Sequence, residues 1–169
     1  MVKKKKLPTS RKVISAILCI AAPLIVGGVS ALMTMNAMGS FSEMEQPPLA
    51  PPAWLFPVAW TILYALMGFS SYLIFMGGLN GAKRDKKIAK VALVIYGIQL
   101  AFNFIWSPLF FNLEWYWFAF GWLIAMWLII LALIILAGKV SKGAVFCLLP
   151  YILWCTFAAY LNAGIAILN

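Results

Sequence analysis

Five apolar runs, each about 20 residues long, limit what this chain can fold into. They cover about Val13 to Met35, Trp54 to Met76, Ile88 to Trp106, Trp115 to Ala137 and Ala144 to Leu168. A bilayer core about 30 Å thick takes roughly 20 residues of helix to cross. Past the first turn of each run there is no Asp, Glu, Lys, Arg or His. The chain is 65% apolar and 10% charged, so a water-soluble fold would leave much of that surface against water. Lipid carries no such penalty. The expected fold is an all-α membrane protein, a bundle of five transmembrane helices and a multi-pass protein of the cell membrane. The first run follows Lys3–Lys6, as a signal peptide would. It exceeds the 7–15 apolar residues usual for such a leader and reads as a span.

The charges set the orientation. Lys3, Lys4, Lys5, Lys6, Arg11 and Lys12 precede the first run. Lys83, Arg84, Lys86, Lys87 and Lys90 lie between the second and third, and Lys139 and Lys142 between the fourth and fifth. These are all 13 basic residues, and with five spans they fall on one side. The other side receives Glu43, Glu45 and Glu114. The positive-inside rule predicts the N-terminus inside and the C-terminus outside. An extra or missing span would scatter these charges. The same clustering argues against nucleic acid as the partner of the net charge of +9, because no soluble basic face is left to bind it.

The stretch 36–53 is the longest segment outside the runs and carries Gln46-Pro47-Pro48-Leu49-Ala50-Pro51-Pro52. Proline denies it a regular helix and stiffens it. An outer lid and a plain linker both fit this composition. Cys19, Cys147 and Cys155 lie inside apolar runs without a C-x-x-C spacing, so neither a disulfide framework nor a metal site is expected.

The chemistry inside the membrane therefore falls to neutral polar and aromatic side chains. Ion-coupled pumps and buried acid–base catalysts place ionisable groups at depth, and this chain has none there. Gln99 and Asn103 are four apart and share a helix face, which Tyr96 and Trp106 extend. That stripe serves either interhelical bonding or the lining of a ligand cavity. Trp60, Tyr64 and Gly68 recur at fours in the second run, and Trp154, Ala158 and Asn162 in the fifth. Each indole fits an interfacial belt or a cavity wall. Trp115, Tyr116, Trp117 and Trp122 read as a belt. Gly97 and Ala101 make a small-x-x-x-small pair, which permits close helix approach.

Three segments resemble one family. They are Pro51-Pro52-Ala53-Trp54-Leu55-Phe56-Pro57-Val58-Ala59-Trp60-Thr61-Ile62-Leu63-Tyr64, Gln99-Leu100-Ala101-Phe102-Asn103-Phe104-Ile105-Trp106-Ser107-Pro108 and Pro150-Tyr151-Ile152-Leu153-Trp154-Cys155-Thr156-Phe157-Ala158-Ala159-Tyr160-Leu161-Asn162. In sequence and order they are similar to the second, third and fifth spans of the TspO/MBR family of tryptophan-rich sensory and translocator proteins. The resemblance implies a cavity capped by the first-to-second loop, binding protoporphyrin IX-like tetrapyrroles or other aromatic molecules as ligands rather than cofactors. It implies that Trp60, Tyr64, Gln99, Asn103, Trp106, Trp154 and Ala158 line or neighbour that cavity. It assigns Trp60 and Trp154 any light-dependent porphyrin breakdown, and it implies a homodimer. Tyr160 lacks the following Lys or Arg of animal members, which favours a bacterial one. With no His in the chain, metal-free porphyrin fits better than haem. The expected function is tetrapyrrole binding by a sensor or regulator of porphyrin or stress responses. Facilitated transport of small amphipathic molecules and Trp-dependent photo-oxidation of porphyrin are the alternatives.

Overall fold

The structure, a computed structural model, describes residues 8–37 and 43–169. Among the described residues five long helices carry the chain: α1 (Thr9–Thr34), α2 (Leu55–Asn80), α3 (Lys83–Phe111), α4 (Tyr116–Gly138) and α5 (Lys142–Leu168). All five are long and apolar enough to cross a membrane, and no strand occurs among the described residues. The helix count agrees with the number of apolar runs.

Helices outrun the apolar stretches where polar residues also favour helix. The third span is expected from Ile88, yet α3 begins at Lys83. There Asp85 accepts the Ala82 N–H at 2.8 Å, meeting one of the orphan donors of the first turn. Ser141 caps α5 through the Ala144 N–H at 3.3 Å. Pro57 sits in the first turn of α2, where its missing N–H costs nothing. Pro23, Pro108 and Pro150 lie within α1, α3 and α5, as lipid-embedded helices tolerate when neighbours satisfy the freed carbonyls.

The helices close a ring in the order α1–α2–α5–α4–α3, and α2 also packs on α3 across it. The core runs from Met67 and Ile74 of α2 through Leu123, Met126 and Ile130 of α4 to Leu148 and Tyr151 of α5. Helix α1 is the least buried element, and its face is fixed by two close approaches. A Cβ on Gly68 would stand 2.5 Å from the Ile20 Cα and 2.6 Å from the Cys19 carbonyl oxygen. On Gly27 it would stand 2.2 Å from the Tyr64 ring. Gly97 and Ala101 instead border a shallow apolar groove on the outside of the bundle with Ile25, Val26 and Val29.

Cross-contacts put the two ends of the bundle in register. Gly77 of α2 abuts Val140 of the α4–α5 turn, so the basic residues of the α2–α3 and α4–α5 connections share one end. At the other end the Asn112 amide donates to the Met33 carbonyl at 3.1 Å. The one-sided charge pattern is thus a property of the folded chain, apart from Lys3–Lys6, which lie outside the described residues.

At the acidic end, residues 45–48 lie along α5. The Asn169 side chain brackets Glu45, accepting its N–H and donating to its carbonyl, both at 3.1 Å. The Tyr160 hydroxyl donates to the Pro48 carbonyl at 2.6 Å. Gly164 leaves room for Pro47, which a Cβ would meet at 2.5 Å. Pro47–Ala50 form a turn with Pro48 second and Leu49 third at φ 68°, a place that favours glycine. Gly164→Val is expected to push Pro47 off the helix at a cost of about 1–3 kcal/mol. The check is amide hydrogen exchange at Glu45, which should speed up at least tenfold while the bundle core is unchanged.

Candidate ligand-binding cavity

A cavity of about 240 Å³ opens in the half of the bundle nearer that loop, walled by α1, α2, α3 and α5. The two indoles expected from the motifs meet there. Trp60 and Trp154 stand edge to face with ring centroids 6.4 Å apart. Trp60 also packs on Tyr64 at 5.5 Å, and Phe56 on Trp154 at 6.2 Å. Trp106 stacks on Phe110 at 5.1 Å on the α3 side. Such faces suit a flat aromatic guest, since offset and edge-on ring contacts are favourable.

Helical spacing explains the set. Trp60 and Tyr64 lie one turn apart on α2, and Trp154, Ala158 and Asn162 one turn apart on α5, so each helix turns one stripe inward. Ala158 is the small residue that leaves space between aromatic neighbours. Asn162 closes the α3–α5 corner, accepting the Trp106 indole N–H at 3.3 Å and donating to the Tyr116 carbonyl at 2.9 Å.

Gln99 and Asn103 do not line the cavity. They lie behind its wall in a buried network. The Tyr64 hydroxyl donates to Asn103 Oδ1. Asn103 Nδ2 donates to the Tyr151 hydroxyl at 3.0 Å, which in turn donates to Gln99 Oε1 at 2.8 Å. Of the two uses open to this stripe, the structure shows interhelical bonding, and Tyr64, bonded to Asn103, and Tyr151, edge-on to Trp60 at 6.4 Å, tie the network to the cavity wall. Five of the seven site residues expected from sequence therefore share the wall: Trp60, Tyr64, Trp106, Trp154 and Ala158.

Tyr151, the hub of the network, escapes sequence reading because its neighbour Pro150 and the Trp154 stripe draw attention away from it. The α1 wall also goes unseen. Gly27, Ser30, Ala31 and Thr34 recur at helical spacing in an otherwise aliphatic span, and that polar and small interruption is the signal that identifies them. One belt residue moves: Trp122 stacks on Phe102 at 4.2 Å and donates its indole N–H to the Phe102 carbonyl at 2.9 Å. It is an α3–α4 packing residue because a main-chain acceptor lies within its reach. Trp115 and Trp117 stay exposed at the helix start.

No described residue of the loop borders the cavity, and residues 38–42 lie outside the described part. Among the described residues the wall carries no carboxylate, amine or guanidinium. Its chemistry is that of rings, hydroxyls and one amide, which suits binding and orientation rather than proton transfer.

Comparison with known proteins agrees with the motifs. The model of the TspO/MBR family matches residues 19–168. A tryptophan-rich protein TspO from Chlorobaculum tepidum is 32% identical over 161 residues, covering 95% of this chain and 99% of that one. A translocator protein from Ovis aries is 37% identical over 124 residues, covering 72% and 70%. A tryptophan-rich sensory protein from Cereibacter sphaeroides is 33% identical over 122 residues, covering 72% of each. A family match over almost the whole chain, on a bundle of five membrane-crossing helices, settles the class: the chain is a multi-pass integral membrane protein and belongs to the TspO/MBR family.

Proposed function

We propose that this protein binds protoporphyrin IX-like tetrapyrroles in the cavity between Trp60 and Trp154 and acts as a membrane sensor or regulator of porphyrin or stress responses. The observation that carries the reading is the paired indoles, 6.4 Å apart on α2 and α5, in a cavity whose wall also holds Tyr64, Trp106 and Ala158. The orientation belongs to the same proposal: basic end inside, cavity and loop toward the outside. At about 240 Å³ the space falls just below the range usual for drug-sized ligands. A tetrapyrrole is larger, so its entry requires outward movement of α1 or of the loop. Helix α1, the least buried, is the element this proposal expects to give.

The test is a titration of protein in lipid nanodiscs with protoporphyrin IX. The chain has eight Trp, so quenching alone does not locate the ligand. Saturable quenching that a non-fluorescent aromatic competitor reverses is the expected result. Linear, non-competable quenching would count against a site.

The edge-to-face indoles support a second reading, light-dependent oxidation of the bound porphyrin by dioxygen, which takes up the electrons. In that case Trp60→Phe with Trp154→Phe should slow porphyrin loss under illumination at least tenfold while binding weakens far less, since phenyl rings keep an aromatic wall. The absorbance of the porphyrin followed over time checks this. Unchanged loss in the double variant removes both indoles from the chemistry.

A further inference from the structure

We propose that the Ser30 hydroxyl is the hydrogen-bond donor that orients the guest in this cavity, taking an acceptor, carboxylate or carbonyl, on the rim of a flat aromatic ligand. The inference rests on the cavity reading above and deepens it. Ser30 is a cavity-wall residue on α1 and is 4% exposed, yet its hydroxyl has no hydrogen-bond partner among the described residues. The other buried polar groups of the wall are engaged. The Thr34 hydroxyl donates to the Ser30 carbonyl at 3.0 Å, and the Tyr64 hydroxyl to Asn103. The Trp106 indole N–H donates to the Asn162 amide oxygen, and the Asn162 amide nitrogen donates to the Tyr116 carbonyl.

An unpaired hydroxyl in a low-dielectric wall is costly, and a guest that supplies an acceptor removes that cost. A guest without one leaves it. Discrimination therefore follows from what the wall lacks as much as from what it offers. Placement adds to the argument. Ser30 lies on the α1 wall with Ala31 and Thr34, and the indole pair comes from α2 and α5. Helix α1 packs on α2 and α3, so a ring held between Trp60 and Trp154 would share the cavity with the α1 wall. Among the described residues no basic side chain lines the cavity, so neutral donors of the wall, the Ser30 hydroxyl among them, are the groups there to meet an acidic or carbonyl substituent.

The experiment compares three ligands in nanodiscs: protoporphyrin IX with free propionates, its dimethyl ester, and octaethylporphyrin, which has only alkyl arms. Ser30→Ala is expected to weaken protoporphyrin IX binding roughly tenfold or more and to leave octaethylporphyrin within twofold. The octaethylporphyrin arm shows that the variant is folded with its cavity intact. An equal loss for the dimethyl ester identifies a carbonyl as the partner, and a smaller one identifies the carboxylate; both support the proposal. Ser30→Ala binding protoporphyrin IX like the parent, or losing both porphyrins equally, overturns it. Ala158→Phe, which fills the cavity, separates the two layers. It should weaken both porphyrins, and if it affects neither, the cavity reading fails and the Ser30 assignment with it.

Discussion

Gly68→Leu is expected to separate α1 from α2 and to lower the melting temperature by roughly 10 °C, read by thermal unfolding in detergent or nanodiscs. The reason begins with Pro23. Its ring nitrogen has no hydrogen to give the carbonyl four residues back, which is that of Cys19. That carbonyl faces Gly68 instead, and a Cβ there would lie 2.6 Å from its oxygen and 2.5 Å from the Ile20 Cα. Both obstacles are backbone, so no rotamer change relieves the clash, and the helices must part. Overpacking usually costs about 1–3 kcal/mol, and a backbone obstacle belongs at or above the top of that range. Gly68→Ala should show a smaller drop of the same sign. Because α1 supplies one wall of the cavity, ligand affinity should fall along with stability. A Gly68→Leu protein as stable as the parent would mean that α1 is not held in this way.

Asn103→Leu is expected to destabilise the bundle by about 2–3 kcal/mol by breaking the link between Tyr64 and Tyr151. Leucine keeps the volume but removes the acceptor of the Tyr64 hydroxyl and the donor to Tyr151. Tyr151 keeps Gln99 as its acceptor, so the larger share of the cost falls on Tyr64. Tyr64 is also a wall residue, packed on Trp60, so the loss reaches the cavity through one ring. A double-mutant cycle isolates the bond. Tyr64→Phe alone leaves Asn103 Oδ1 without its donor, and the double variant should cost less than the two single changes added. Strict additivity would show that the bond contributes no coupling.

The fold was legible because lipid makes strong demands. A span must be long, apolar and internally bonded, and those conditions leave marks that survive in one sequence. The one-sided placement of Lys and Arg then fixed the number of crossings. Helix ends were less legible. The turns from Lys83 to Ala89 are charged yet helical, since Asp85 caps them and the polar interface suits Lys side chains. The cavity was legible in part. Trp60, Tyr64, Trp154 and Ala158 sit on single-helix stripes, and a stripe is visible in sequence. Gln99 and Asn103 form an equally good stripe but turn to Tyr151 on another helix. Periodicity tells which residues share a face and does not tell what that face meets. Ser30 was missed for the opposite reason: one hydroxyl in an aliphatic span gains meaning only once its neighbours prove already bonded.

Whether Trp60 and Trp154 hold a flat aromatic guest between the helices is decided by a structure of the protein with protoporphyrin IX bound. The expected result is ring density inside the bundle against both indoles, with α1 or the loop displaced outward and one rim of the porphyrin toward Ser30. Density confined to the outer groove at Gly97 and Ala101, with the cavity unchanged, would contradict it.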